Sequence, residues 1–201
     1  MSKQITVVVP TIADRSEDLL LRAMHSIEQQ TIGLENIDIH VMSDVDRLGP
    51  ALMRNVGVKH AETEWVAFLD DDDEMLPSHL ENLLEHAEKE QADVVYPWYI
   101  WVERGRIRTD RDPLRLHGAS PLGQDFDASV LLGHNYIPVT TLVRRSAFIH
   151  AGGFPEPGEF DGPEDWGLWL RMLAVDAKFS HYPDRTWMWH RHPGQTGGRT
   201  S

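Results

Sequence analysis

Over the first half of the chain, short apolar runs rich in β-branched residues alternate with longer segments whose apolar residues recur at helical spacing. No other feature constrains the fold as tightly. A strand, a helix and a further strand in succession lead to parallel pairing, because the crossover covers one face of the sheet. Residues 5–9 read as a buried parallel strand ending at Pro10. Residues 16–30 place Leu19, Leu20, Ala23, Met24 and Ile27 on one helix face. Residues 37–42 form a second strand, 48–60 a second helix with Pro50 suited to its first turn, and 65–69 a third strand. Residues 77–91 return to helix and 94–102 to strand. The expected fold class is α/β, with a Rossmann-like, mostly parallel central sheet flanked by helices and a smaller antiparallel part in the second half.

That second half is less regular. Residues 109–135, rich in Asp, Gly, Pro and Arg, read as a long loop region with a short helix. Residues 139–143 are strand-like, Gly152-Gly153-Phe154-Pro155 is a turn, and 163–174 carry Trp166, Trp169, Leu170 and Leu173 at helical spacing. The tail from Thr186 holds Trp187, Trp189, His190 and His192 and then polar residues expected to fray. No linker divides the chain, so one domain over residues 1–201 is expected.

Composition closes off several functions. With no cysteine among 201 residues, a disulfide framework, a thiolate zinc site and a cysteine nucleophile are all excluded. A formal net charge of −13 opposes non-specific wrapping of nucleic acid, though it is compatible with a small basic pocket for a phosphorylated ligand. The N-terminus lacks the pattern of a signal peptide, and no apolar run is long enough to span a bilayer. A cytoplasmic protein without a membrane span is the expectation.

The strongest local signal is Asp70-Asp71-Asp72-Asp73, directly after the third strand. Four adjacent carboxylates repel one another unless solvent or a cation neutralises them. In open parallel sheets, ligands bind outside the carboxyl ends of the strands, which is where this cluster falls. Hard oxygen ligands suit Mg²⁺ or Mn²⁺. A solvated turn capping the next helix is the plainer reading. Thr11 and Asp44 also stand just past predicted strands, so three strand ends converge on one edge; Asp44 by itself reads equally as a turn residue. Arg54, followed by Asn55 and Gly57, is either a surface residue or a partner for the acidic loop or a diphosphate. Glu164-Asp165 is either a favourable pair at a helix start or the seat of a general base. His190 and His192 are spaced to point the same way on a strand, as metal or phosphate contacts or as structural residues. The seven Trp offer flat faces suited to sugar rings, or core.

Taken in order, these segments resemble the family 2 glycosyltransferases of GT-A fold. The resemblance runs from residue 7 to about 196 and rests on six motifs. They are Val7-Val8-Val9-Pro10-Thr11, Met53-Arg54-Asn55-Val56-Gly57, Phe68-Leu69-Asp70-Asp71-Asp72-Asp73, Gly152-Gly153-Phe154, Glu164-Asp165-Trp166 with Leu170-Arg171, and His192-Pro193-Gly194. The resemblance implies an inverting, hexosyltransferase-type enzyme that moves a sugar from a nucleoside-diphosphate sugar, a UDP-sugar foremost, to an acceptor hydroxyl. It implies that Pro10, Thr11, Asp44, Arg54, Asp70 and Asp71 contact the donor. Asp70, Asp72 and His192 would hold Mn²⁺ or Mg²⁺ in an Asp-x-Asp motif, and Asp165 would be the general base. Ser43-Asp44-Val45-Asp46 stands where the family has two adjacent Asp, so the nucleotide contact is Asp44 or Asp46. Residues to about 97 would bind the donor and residues from about 98 the acceptor, with Glu164, Trp166 and Trp98 as acceptor contacts. Arg106, Arg108, Arg111 and Arg115 would either meet an anionic acceptor or solvate a loop. The acceptor (glycan, protein, lipid, small molecule or modified base) is not legible. A homodimer is expected from a short chain with several exposed-looking aromatics.

Two other readings compete. Nucleotidyl transfer uses similar metal chemistry, but residues 11–15 (Thr-Ile-Ala-Asp-Arg) are not a glycine-rich phosphate loop. A catalytically degenerate binding or scaffold module would have lost some of Asp70, Asp72, Asp165 and His192, all of which are present.

Overall fold

A computed structural model describes residues 3–108 and 123–191. The alternation seen in the sequence becomes β1 (Ile5–Ile12), α1 (Glu17–Glu28), β2 (Ile37–Asp44), α2 (Pro50–His60), β3 (Trp65–Phe68), β4 (Glu74–Met75), α3 (His79–Glu90) and β5 (Val94–Glu103). A short β6 (Arg106–Arg108) folds back on β5. The remainder comprises α4 (Ala128–Gly133), β7 (Leu142–Arg144), α5 (Arg145–His150), α6 (Glu164–Ala174) and β8 (Phe179–Arg191). The strand order is β2-β1-β3-β7-β5-β8-β4, with β6 beside β5. β1 pairs in parallel with β2 and β3, and β5 in parallel with β8; β7, β6 and β4 pair antiparallel with their neighbours.

Period-two alternation along the buried strands feeds two apolar layers. Val7 and Val9 of β1 face Ala23 and Ile27 of α1 and Leu80, Leu83 and Ala87 of α3. Val8 faces the opposite layer, formed by Val58 of α2, Phe148 of α5 and Leu168, Trp169 and Met172 of α6. The sheet is therefore covered on both sides. Gly57 allows α2 to lie close on β1, because a Cβ there would strike the Val8 side chain. Among the described residues, no helix is long and apolar enough to cross a membrane.

Several sequence boundaries shift. β1 continues through Pro10 to Ile12, because the parallel register with β2 continues to Ile12↔Asp44. The strand expected at 139–143 contracts to Leu142–Arg144. The short helix expected within 109–135 is α4, whose N-cap Asp127 accepts the backbone N–H groups of Ser129 and Val130. The start of the tail, from Thr186 through Arg191, belongs to β8, which lies between β5 and β4, whereas the polar residues expected to fray after His192 lie outside the described residues.

Candidate active site

β1, β2 and β3 run in parallel, so their carboxyl ends reach the same sheet edge. Just past β3, the chain turns tightly, the Asp73 backbone N–H donating to the Asp70 carbonyl at 3.1 Å. Asp71 accepts a hydrogen bond from Arg15 Nε at 2.6 Å, and Asp70 one from Arg54 Nη2 at 2.5 Å. Asp73 accepts the backbone N–H of His190 at 2.8 Å. Ligand atoms of Asp70, Asp72 and Asp73 lie within 4.8 Å of one another. Burial pushes the Asp73 carboxyl well above the usual range, and the charges of Asp72 and Asp70 push it further. Arg22 of α1 steadies the turn, donating to the Asp72 carbonyl at 2.5 Å while its Nε lies 3.1 Å from Glu74.

Three crowded carboxylates, two of them buried, fit a divalent cation in donor type and spacing. Asp73 belongs to this set, although the sequence motif pointed to Asp70 and Asp72. The spacing alone could not reveal it, because the turn and the bond from His190 select which aspartates converge. His190 itself meets Glu74, Nε2 to Oε1 at 2.6 Å. His192 lies outside the described residues.

Beside the acidic turn opens a cleft of about 500 Å³. Pro10 and Thr11 form its floor at the end of β1, and the buried Thr11 hydroxyl has no hydrogen-bond partner among the described residues. Asp44 lines the cleft at the end of β2, whereas Asp46 is exposed and outside the lining. The two Asp44 oxygens accept the backbone N–H groups of Leu48 and Gly49 at 2.8 and 2.7 Å, which fixes the loop leading into α2. Arg15 and Arg47 also line the cleft, Arg47 paired with Asp14.

Arg54 joins the two halves of the site. The residue is 2 % exposed and bridges Asp70 on one side and Glu164 Oε1, at 3.0 Å, on the other. Burial opposes its charge, but Asp70 and Glu164 outweigh that and raise its pKa. The neighbouring Asn55 bonds the backbone N–H and carbonyl of Phe154, at 2.9 and 3.0 Å. Gly153, at φ +71°, passes so close to Asn55 that a Cβ would come within 2.6 Å of its Oδ1. The Arg54-Asn55 pair thereby ties the acidic turn to the segment that leads into α6. Adjoining Glu164, Asp165 has its carboxyl pushed up to about 7 by burial, with the Glu164 charge adding to the shift. The Trp166 backbone N–H (2.8 Å), the Asn135 side chain and the Arg54 charge pull the other way.

Most of the tryptophans are core, one of the two readings that the sequence offered for them. Trp65, Trp98, Trp101, Trp169 and Trp187 are each at most 4 % exposed. The exposed-looking aromatics on which a homodimer was expected are thus mostly core. Trp98, at 1 %, packs against Tyr99. Trp166 donates its indole N–H to the Leu131 carbonyl at 2.7 Å and packs edge-on against Phe160. Trp189 lines the cleft and was not singled out. Arg106 is exposed, Arg108 pairs with Glu103 at 2.5 Å, and Arg111 and Arg115 lie outside the described residues.

Residues 12–152 match the sequence model of glycosyl transferase family 2. The chain belongs to this family. It is 32 % identical over 150 residues to the pre-mycofactocin glycosyltransferase of Mycobacterium tuberculosis, covering 73 % of this chain and 31 % of that protein. An uncharacterized glycosyltransferase of Haemophilus influenzae is 25 % identical over 137 residues, 68 % of this chain and 48 % of that one. The chain thus spans about a third to a half of the length of these family 2 relatives. In fold it is similar to S. aureus TarS 1-349 in complex with UDP-GlcNAc, with a TM-score of 0.73 and 20 % identity over 96 % of this chain and 60 % of that one. The family 2 chain has the GT-A fold.

Proposed function

We propose that the protein is an inverting glycosyltransferase that moves a hexosyl group from a UDP-sugar to an acceptor hydroxyl. The bridge from Arg54 to both Asp70 and Glu164 carries this reading, because it sets the acidic turn and the candidate base helix on one cleft. The unpartnered Thr11 hydroxyl and the Asp44 loop mark the end of the cleft where the nucleoside would rest. The UDP-GlcNAc bound to TarS supports uridine as the base.

Asp70, Asp72 and Asp73 would hold Mn²⁺ or Mg²⁺, with Asp71 left to Arg15. Such an ion, when bound, supplies positive charge against the diphosphate. Arg54 and Arg15 hold the acidic turn in place and add cationic charge at the leaving-group end. Ionised Asp165 takes the proton of the acceptor hydroxyl as the acceptor oxygen bonds to the anomeric carbon. The bond from that carbon to the diphosphate breaks on the opposite side, its electron pair leaving with the nucleoside diphosphate. A carboxyl near pKa 7 suits this work, since a large fraction is ionised at neutral pH and that form is a stronger base than an ordinary carboxylate. Residues to about 97 would then form the donor half and those from about 98 the acceptor half, with Glu164 and Trp166 beside the acceptor.

Asp165→Asn tests this assignment. Its turnover should fall by roughly 10²–10⁴ while nucleotide affinity by calorimetry stays near wild type. Unchanged turnover would dismiss Asp165 as the base.

A further inference from the structure

One cleft residue has no part in the chemistry above. Trp189 stands on β8, where its register partner on β5 is Trp101, and Tyr99 pairs with Trp187 two residues earlier. These four aromatics share one face of the β5–β8 ladder. Behind Trp189, the Tyr99 ring meets it edge-on at 5.6 Å and 78°, and the Trp101 ring lies at 6.0 Å and 32°. Tyr99 and Trp101 are buried, at 0 and 4 % exposure, whereas Trp189 is only part-buried and lines the cleft. Its place along the cleft is set by the next residue, whose backbone N–H bonds Asp73 in the acidic turn.

A large aromatic surface that is immobilised from behind, partly open in front and adjacent to an acidic turn is an unusual lining for a polar cleft. Its fixed position costs no further ordering when a ligand arrives. A flat apolar ring with little hydrogen-bonding demand complements the C–H face of a pyranose, while the surrounding carboxylates and arginines complement its hydroxyls. One side of the ring packs on the buried cluster of Trp98, Tyr99, Trp101 and Trp187, and the part left uncovered is the part that lines the cleft.

We infer that Trp189 is a stacking platform for a pyranose ring in the cleft, a specificity-determining contact that rests on the glycosyl-transfer reading. The pyranose belongs either to the donor sugar or to a sugar acceptor. The two sources share one chemistry and are separated by which constant changes.

The test uses Trp189→Leu, which keeps apolar bulk but removes the flat ring, and Trp189→Phe, which keeps a smaller one. Circular dichroism and melting temperature confirm that each folds. Calorimetry with Mn²⁺ then measures binding of UDP, GDP and dTDP and of UDP-glucose, UDP-N-acetylglucosamine, GDP-mannose and dTDP-glucose. Transfer to methyl α- and β-glycosides of glucose, galactose and mannose gives acceptor KM and kcat. If the platform holds the donor sugar, Trp189→Leu weakens the nucleotide sugar by roughly threefold to tenfold, leaves the bare nucleotide unchanged, and Trp189→Phe recovers most of the loss. If it holds the acceptor, donor affinities stay constant and acceptor KM rises by a similar factor with little change in kcat. Wild-type values for both variants in both arms overturn the platform while leaving the glycosyl-transfer reading intact. Failure of the wild type to bind any of these nucleotides or sugars overturns that reading, and the platform with it.

Discussion

Arg54 decides more about this site than any other single side chain. A guanidinium that is 2 % exposed is expensive to bury alone, and here two carboxylates compensate it. Replacing it with Met would leave Asp70 and Glu164 facing a cavity without a cation. Because those carboxylates are 36 % and 37 % exposed, water absorbs part of the loss. The expected destabilisation is about 1–3 kcal/mol, measured by urea unfolding. Asp165 predicts a pH dependence of two kinds. Its carboxyl, at about 7 in the fold against 3.8 ordinarily, stabilises the fold in its protonated form. That contribution is complete below about pH 4 and is lost as pH rises toward 7. Wild type should therefore lose more stability than Asp165→Asn between those pH values, as followed by melting temperature. Turnover should rise over the upper part of the same range as the base ionises. A pH–rate profile flat from pH 5 to 8 would contradict the role.

At the scale of elements, the parallel β1–β2–β3 layout was legible, and so was the site edge. β-branched runs, Pro50 at a helix start and the break from Leu69 into aspartates are local signals with local causes. What the sequence hid depends on partners far along the chain. β8 carries Pro183, Asp184 and Arg185 within its length, a local sequence that does not favour a strand. They are accommodated because the ladder with β5 shifts register between Pro97 and Tyr99. β4 is two residues long and, among the described residues, pairs only with β8. Asp73 joined the site by the same route, through the backbone of His190. Arg15 carried a faint signal, four residues past Thr11 in the loop after the first strand; Arg22 carried none, being one more polar residue on a helix. Gly57 allows a sharp element-level prediction. Gly57→Ala drives a methyl into Val8 and should cost about 1–3 kcal/mol, seen as a lower melting temperature, whereas Gly105→Ala meets nothing within 4 Å and its cost is confined to its positive φ of 70°.

For the whole molecule, cation binding by the acidic turn should make stability depend on divalent cations. Anything that binds only the folded state stabilises it by mass action, by about 2.7 kcal/mol at a hundredfold excess over Kd. In a domain of this size, that corresponds to a rise of roughly 5–10 °C in melting temperature. Mn²⁺ or Mg²⁺ should raise the transition, EDTA should reverse it, and Asp72→Ala should abolish the response. Equal melting temperatures with metal and with EDTA would argue against cation binding by this cluster.

The late arrival of β8 also sets a timetable. The cleft residues from β1, β2 and α2 all precede residue 70, yet among the described residues the acidic turn finds a backbone partner at His190 and β4 its only strand partner at residues 187–188. On a ribosome adding about 5–20 residues per second, the half-built cleft waits on the order of ten seconds for that strand. During that interval Asp73 lacks the backbone N–H that it accepts in the finished fold. Any capacity to grip a cation would therefore develop only once β8 has been made, so a nascent chain halted before β8 should show strand and helix without the metal response.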